Sequence, residues 1–181
     1  MSATRADYLI VERPQQFVIY NQYQQRVSPS EKSAFLDDAP FRVLDPNDVL
    51  GDGFTRCMKV QSGGRNFFFE KDENGTLLGV EGAGARQMYS NAEILEDTIE
   101  ILKSGRVGVS DMHQSRLSEL QEGDRFVRIF RLNGRVYGKL LGASERFGWI
   151  NLGDVSSKDW RIARELGLSV SDQMQKVLPQ V

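Results

Sequence analysis

A run of basic side chains within residues 125–146 has the residue types best suited to binding chemistry. Its members are Arg125, Arg128, Arg131, Arg135, Lys139 and Arg146. Clustered arginine and lysine are typical of a surface that binds an acidic partner or a phosphate backbone. Arginines on strands also pair with acids on neighbouring strands or protect a sheet edge. The run therefore indicates either a binding surface or a set of structural ion pairs.

Aromatic side chains are interspersed among these cations. Tyr137, Phe147 and Trp149 could anchor a protein partner or stack on the bases of a single strand. They would equally fill the core of a small barrel, and we favour the core for Trp149 because Ile150 would otherwise have little to pack against. The candidate partner-binding residues are Arg128, Arg131, Arg135, Tyr137, Lys139, Phe147 and Trp149.

Catalytic constellations are not evident. His113 lies in a polar loop, and Cys57, flanked by Arg56 and Met58, is most simply a small buried hydrophobe. No nucleophile elbow and no pair of carboxylates stands out. The glycine-rich residues 82–86 lack the Gly-Lys-Ser/Thr ending of a phosphate-binding loop. With one cysteine and one histidine, a thiolate cluster or a multi-histidine metal site is excluded. We expect no enzyme, no cofactor and no metal.

The overall charge gives nucleic-acid binding little support. The formal net charge is -2 and the sequence pI is about 5.5, whereas proteins that bind nucleic acid mainly through phosphates usually carry a basic excess. The first residues lack the pattern of a secretory signal, and no apolar run approaches the roughly 18 residues of a membrane span. The sequence predicts a cytoplasmic protein without a membrane partner.

The basic run lies within a predicted three-stranded meander, residues 123–154. Phe126–Leu132 and Arg135–Leu141 are two strands joined by Asn133-Gly134, a dipeptide that favours a two-residue hairpin turn. A glycine-containing turn then leads to Phe147–Ile150. The earlier residues 54–78 predict a similar meander. A shared pattern, G-D-x-F-x-R followed by a hairpin and G-R-x-aromatic, predicts a duplication in which Phe54 corresponds to Phe126. The alternative is that two meanders share turns and aromatics by coincidence.

Residues 98–155 resemble a bacterial Src-homology-3-like (SH3-like) domain. The resemblance rests on Arg106–Val109 as a short strand, a long loop, Gly123-Asp124 before a hydrophobic strand, the Asn133-Gly134 hairpin and Gly148-Trp149-Ile150 as the closing strand. The first meander matches less well because it lacks the tryptophan. The resemblance implies a five-stranded, strongly bent barrel with a non-catalytic binding role.

The fold class predicted is mainly β, with two SH3-like β-barrels and a C-terminal helical hairpin. The predicted domains are a first barrel at residues 1–80, a linker with a short helix at 81–97, a second barrel at 98–155 and the hairpin at 156–181. In the hairpin, Lys158–Leu166 has apolar residues near one helical face and Gly167 fits its end. Residues 162–178 are also compatible with a helix-turn-helix, although Lys176 alone would supply a base on the recognition face.

Two functions remain open at this level. The first is a non-catalytic interaction or scaffold module that binds a protein, a peptide or a neighbouring domain. The alternative is single-stranded nucleic-acid binding through residues 125–146. Arginines on one exposed face beside an exposed aromatic would favour nucleic acid, and arginines held by acids would favour a protein partner.

Overall fold

The computed structural model describes residues 4–163, which divide into two compact units. The N-terminal unit is Asp7–Ser90, and the described part of the C-terminal unit is residues 4–6 and 91–163. Both units consist of antiparallel strands. The prediction of a mainly β protein is therefore confirmed.

The N-terminal unit contains an antiparallel sheet with the strand order β2-β5-β4-β3-β1. A 3-10 turn at Pro14–Gln16 and one short helix accompany the sheet. The elements are β1 (Arg5–Val11), β2 (Ile19–Tyr20), α1 (Pro29–Lys32), β3 (Ala39–Val49), β4 (Arg56–Ser62) and β5 (Arg65–Glu70). Phenylalanines dominate the core: Phe41 packs edge-on against Phe69 with ring centroids 5.0 Å apart, and Phe35 packs likewise on Phe67 at 5.5 Å.

The C-terminal unit contains the strand order β6-β9-β10-β11-β7-β8, and β12 pairs with the other side of β6. The elements are β6 (Arg86–Ile101), whose first residues belong to the N-terminal unit, β7 (Gly108–Ser110), β8 (Arg116–Glu119), β9 (Arg125–Leu132), β10 (Arg135–Leu140), β11 (Arg146–Ile150) and β12 (Trp160–Ile162). One face of the sheet packs into an aliphatic core around Ile99, Phe126 and Leu140.

The turns of the predicted meander are confirmed. Asn133 and Gly134 have φ angles of 52° and 78°, which is the left-handed backbone that a two-residue hairpin requires between β9 and β10. Gly138 of β10 matters for another reason. A Cβ atom there would lie 2.0 Å from the carbonyl oxygen of Val127 on β9. Only glycine lets the two strands approach this closely.

Other parts of the predicted architecture are wrong. The short helix predicted within residues 81–97 is part of strand β6. The described part of the first C-terminal helix, predicted from Lys158, contains strand β12 instead, and the second helix of the hairpin, like most of the helix-turn-helix alternative, lies outside the described residues. The strand ladders of residues 4–163 form open sheets, so the predicted closure into two barrels is not seen.

Long-range pairing explains these differences. Glu93, Asp97 and Glu100 of β6 lie opposite arginines of β9, and Trp160 and Ile162 of β12 pack against the aliphatic core. Local sequence favoured helix in both segments. Contacts with residues distant in the chain override such a weak preference.

Candidate functional site

The arginines of β9 form a ladder of ion pairs with β6. Arg128 Nε donates to Asp97 Oδ1 at 2.6 Å, and its Nη2 donates to Asp97 Oδ2. Arg131 pairs with Glu93 at 2.8 Å and Arg125 pairs with Glu100 at 3.1 Å. Cross-strand pairs of opposite charge stabilise a sheet and neutralise each other's charge. The ladder leaves little net positive charge on this strand.

Two further cations of the basic run, Lys139 and Arg135, also have side-chain partners. Lys139 Nζ donates to Glu145 Oε2 at 2.8 Å, and the lysine side chain is 1% exposed. Burial lowers the pKa of Lys139, and the hydrogen bond to Glu145 opposes that shift. Arg135 is exposed and donates to Gln114 Oε1. Two of the candidate cations, Arg131 and Arg135, therefore retain solvent contact.

The aromatic candidates form a buried cluster. Tyr137 contacts Trp149 edge-on with ring centroids 4.9 Å apart and stacks parallel to Phe147 at 6.4 Å. Phe130 joins them because the ladder between β9 and β10 shifts register after Tyr137. All of these rings are at most 5% exposed. The prediction that Trp149 is a core residue is confirmed.

The candidate partner-binding set thus splits into buried and exposed members. Arg128, Tyr137, Lys139, Phe147 and Trp149 are buried, so they are not part of an exposed surface. Arg131 and Arg135 lie at the hairpin end of β9 and β10. The structure does not bring the set together as one binding face.

The residues considered for catalysis have ordinary environments. Cys57 is fully buried. Its burial, and to a lesser extent the nearby Asp48 carboxylate, raises the pKa of its thiol to about 11. A thiol with such a pKa stays protonated at neutral pH and is a poor nucleophile. His113 is exposed in a turn whose backbone N–H donates to Asp111 Oδ1 at 2.9 Å. Within residues 4–163 no group of side chains is arranged to hold a metal ion.

An open cleft in the N-terminal unit is the strongest candidate site. We call it the Phe54 cleft: it has a volume of about 420 Å³ and is lined by residues 54–56 and 70–73. Phe54 is 91% exposed, the highest exposure among the large hydrophobic side chains described. A phenylalanine so exposed contributes little to folding, and aromatic side chains are common anchors in protein interfaces.

A tight turn before β4 holds Phe54 in this position. Asp52 Oδ1 accepts the backbone N–H groups of Phe54 and Thr55, both at 2.8 Å, and Thr55 Oγ1 donates to Asp52 Oδ2 at 2.7 Å. Gly53 has a φ of 74°, which suits glycine at this point of the turn. The hydrogen bonds from Thr55 and Phe54 lower the pKa of Asp52, so the carboxylate is ionised at neutral pH.

A second aromatic side chain is presented from an adjoining loop. Tyr23 is 72% exposed, and its loop is closed by Asn21 Oδ1, which accepts the backbone N–H groups of Tyr23 and Gln25. Gln24 Oε1 accepts the backbone N–H of Gly51 at 2.7 Å, which ties this loop to the turn that carries Phe54. Val49, 48% exposed, lies opposite Arg56 in the β3–β4 ladder. Two further exposed apolar side chains therefore lie on elements that adjoin those of the cleft.

Acidic residues outnumber basic ones at the Phe54 cleft. Glu70, Asp72 and Glu73 line it together with Arg56 and Lys71. The Lys71 ammonium donates to the carbonyl oxygen of Pro46 and, at 3.0 Å, to Asn47 Oδ1. Lys71 is therefore hydrogen-bonded to other residues of the protein. Glu70 Oε1 accepts the hydroxyl of Tyr20 at 2.7 Å, and this bond raises the pKa of Tyr20. With Asp52 on the adjoining turn, the surroundings are net negative.

The sequence contained a partial signal for this site. Asp52-Gly53 is a turn dipeptide that precedes an aromatic residue. The predicted repeat matched Phe54 with Phe126 and so implied a buried strand residue. Phe126 is fully buried, whereas Phe54 precedes the first residue of β4. The matched positions have opposite roles.

Comparisons with protein-family models, with curated proteins and with solved structures found no match to this chain. No helix in residues 4–163 has the length and apolar character needed to cross a membrane.

Proposed function

We propose that the chain is a non-catalytic interaction module that binds a protein or peptide partner, with the Phe54 cleft as its binding surface. The observation that carries the proposal is the 91% exposure of Phe54 on a turn that hydrogen bonds hold in place. Leaving a large aromatic side chain in water gains no burial energy in the free protein. Burying it against a partner would gain roughly 2 kcal/mol.

The pre-formed turns support the same proposal. Both exposed aromatics lie on loops whose backbone is held by the side chains of Asn21 and Asp52, so little backbone conformational entropy remains to be lost when a partner binds. The apolar side chains of Val49 and Tyr23 would extend the contact beyond the cleft. Together these residues offer the central aromatic anchor and the polar rim that are typical of a protein interface.

We also propose that residues 98–155 belong to the SH3-like family, which they resemble in sequence. In its support, β7 to β11 occur in the expected chain order, with the Asn133-Gly134 hairpin between β9 and β10 and Trp149 in β11. The open sheet of the described residues departs from the implied barrel. A non-catalytic binding role is what this family would imply, and it agrees with the proposed function.

The nucleic-acid alternative has less support. Four of its six basic residues are paired with acids, and its aromatic residues are buried. Residues 91–163 contain equal numbers of acidic and basic residues. A filter-binding titration with single-stranded oligonucleotides at low salt tests this alternative directly, because the phosphate contribution is strongest there.

Site-specific photo-crosslinking tests the proposal. A photoreactive phenylalanine analogue replaces Tyr23 in cells of the native host, and the same analogue replaces Leu117, a 40% exposed residue of the C-terminal unit, as the control. We expect a discrete protein adduct from position 23 that is lost when Phe54→Ala is added. Adducts that form equally at position 117, or that ignore Phe54→Ala, would refute the Phe54 cleft as the binding surface.

A further inference from the structure

The charges and the aromatic side chains of the Phe54 cleft together indicate which partner it fits. We infer that the cleft binds an arginine-bearing, basic peptide segment, with an arginine guanidinium placed over the Phe54 ring and paired with Glu73. This inference rests on the proposed function and specifies its partner. Three features of the cleft bear on it: the Phe54 ring, the carboxylates and the exposed cation Arg56.

The Phe54 ring offers a face to a cation. A guanidinium stacks on an aromatic face more readily than an ammonium does, because it is planar and more weakly hydrated. Such contacts also occur inside this protein: Arg65 lies over Phe67 at 5.9 Å and Arg128 over Trp160 at 5.5 Å. Phe54 differs from those rings because it is 91% exposed. Its faces are therefore accessible to a cation supplied from outside.

The carboxylates of the cleft provide the charge complement. Asp52 and Asp72 are held by their own turns, which fixes the position of their negative charge. Glu73 is exposed, follows Asp72 in the chain and lines the same cleft as Phe54. Among the described residues its carboxylate has no ion pair. An incoming guanidinium could therefore contact the ring on one side and a carboxylate on the other, as Arg128 does with Trp160 and Asp97.

Arg56 is the residue of the cleft whose charge would repel a basic partner. Neutralising it therefore distinguishes a basic partner from an acidic one. The Arg56 side chain is exposed and lines the cleft. If the partner is basic, neutralising Arg56 removes a repulsion and strengthens binding. If the partner is acidic, the same change removes an attraction and weakens binding. The acids outnumber Arg56 and Lys71, so the first outcome is the one expected.

The experiment uses the full chain and a fluorescein-labelled peptide of alternating glycine and arginine, with glycine–lysine and glycine–glutamate peptides of equal length for comparison. Binding is followed by fluorescence anisotropy at about 50 mM salt, where exposed charges are weakly screened. We expect saturable binding of the arginine peptide, weaker binding of the lysine peptide and none of the glutamate peptide.

Single substitutions separate the contributions. Phe54→Ala and Phe54→Leu are each expected to weaken binding of the arginine peptide about three- to tenfold. Leucine keeps an apolar surface but has no ring to face a cation, so this variant isolates the contribution of the ring to binding. Glu73→Gln is expected to weaken it about two- to fourfold. Arg56→Gln is expected to strengthen it about twofold. Leu117→Ala, in the other unit, is the control and should bind as the unaltered protein does.

Four results would overturn the inference. They are no saturable binding of the arginine peptide up to millimolar concentration, tighter binding of the glutamate peptide, weaker binding after Arg56→Gln, or full binding by Phe54→Leu. None of them decides the proposed function, which the crosslink at position 23 tests on its own. A Phe54-dependent protein adduct together with an inert arginine peptide would keep the interaction module and reject the basic partner.

Discussion

The carboxylate of Asp52 accepts the backbone N–H of Phe54 at 2.8 Å and so holds an aromatic residue at a position where its ring remains in water. The same carboxylate also binds both donors of Thr55. The turn is therefore ordered before any partner arrives. Order at an exposed aromatic residue is what a binding anchor needs, because ordering it later would reduce the affinity.

Replacing Asp52 should weaken binding without unfolding the protein. In Asp52→Ala the turn loses its acceptor, so Phe54 samples more conformations and the arginine peptide binds about two- to fivefold more weakly. Asp52→Asn keeps an acceptor oxygen and is the matched control, with a smaller loss due to charge alone. Anisotropy gives the affinities, and circular dichroism checks the fold. Equal losses for both variants would mean that charge, and not the turn, matters.

The turn should also depend on pH in a defined direction. Hydrogen bonds from Thr55 and Phe54 lower the pKa of Asp52. The stabilisation from an ionised Asp52 is therefore complete above the ordinary aspartate pKa of about 3.9 and is lost as the pH falls through the lowered value. Amide hydrogen exchange of Phe54 and Thr55 follows this locally. Protection that does not fall as the carboxylate is protonated in acid would contradict the assignment.

The pair of Arg128 and Asp97 should dominate the energetics of the ion-pair ladder. The Arg128 side chain is 8% exposed, so Asp97→Ala leaves a nearly buried guanidinium without its bidentate partner and should lower the free energy of unfolding by about 3 kcal/mol. The double variant Asp97→Ala with Arg128→Met should recover much of that loss. Urea denaturation measures both. A loss below about 0.5 kcal/mol would show that the pair behaves as an exposed one.

The buried lysine of β10 should respond differently to removal of either partner. Lys139→Met removes a cation whose pKa is lowered by burial, so we expect unfolding free energy to stay the same or rise by about 1 kcal/mol at pH 7. Glu145→Ala leaves the ammonium unpaired and should cost about 1–2 kcal/mol.

The pH dependence checks this assignment of Lys139. Because the folded pKa lies below the unfolded value, the unfolded chain binds more protons between the two, and the stability of the unaltered protein rises with pH in that alkaline range. The advantage of Lys139→Met should shrink accordingly. An advantage that grows with pH would contradict a lowered pKa.

Cys57 should be chemically inert in the folded protein. Burial and the nearby Asp48 raise the pKa of its thiol to about 11, so its thiolate fraction at pH 8 is on the order of 0.1%. We expect alkylation by iodoacetamide to be slow at pH 8 and to become fast in denaturing urea, as measured by mass spectrometry. Rapid modification of the folded chain would place the thiol at an accessible surface instead.

Local signals in the sequence were sufficient for the hairpins but not for β6. Asn133-Gly134 requires only neighbouring residues to specify a turn, and the strands on either side are rich in β-branched and aromatic residues. The acids of β6 have partners on β9 that lie 25 to 38 residues away in the sequence. Helix propensity near Glu93 was therefore a poor guide.

Which members of the basic run are exposed could not be predicted, for a related physical reason. Arginines and aromatics in one short stretch resemble a binding surface, yet whether a strand residue faces solvent depends on which strands cover it. Phe54 and Phe126 occupy matched positions of one sequence pattern, but a single glycine turn moves Phe54 out of the strand. Exposure of this kind follows from the tertiary fold and not from the local pattern.

The most direct test of the Phe54 cleft as the binding surface is a titration of the isotopically labelled full chain with the arginine peptide. Backbone amide chemical shifts are recorded at each step. Binding at the Phe54 cleft predicts saturable shifts concentrated at residues 52–56 and 70–73, which require about three- to tenfold more peptide in Phe54→Ala and are unchanged in Leu117→Ala. Shifts concentrated at residues 125–150, or no saturable shift up to millimolar peptide, would contradict the Phe54 cleft as the binding surface for this partner.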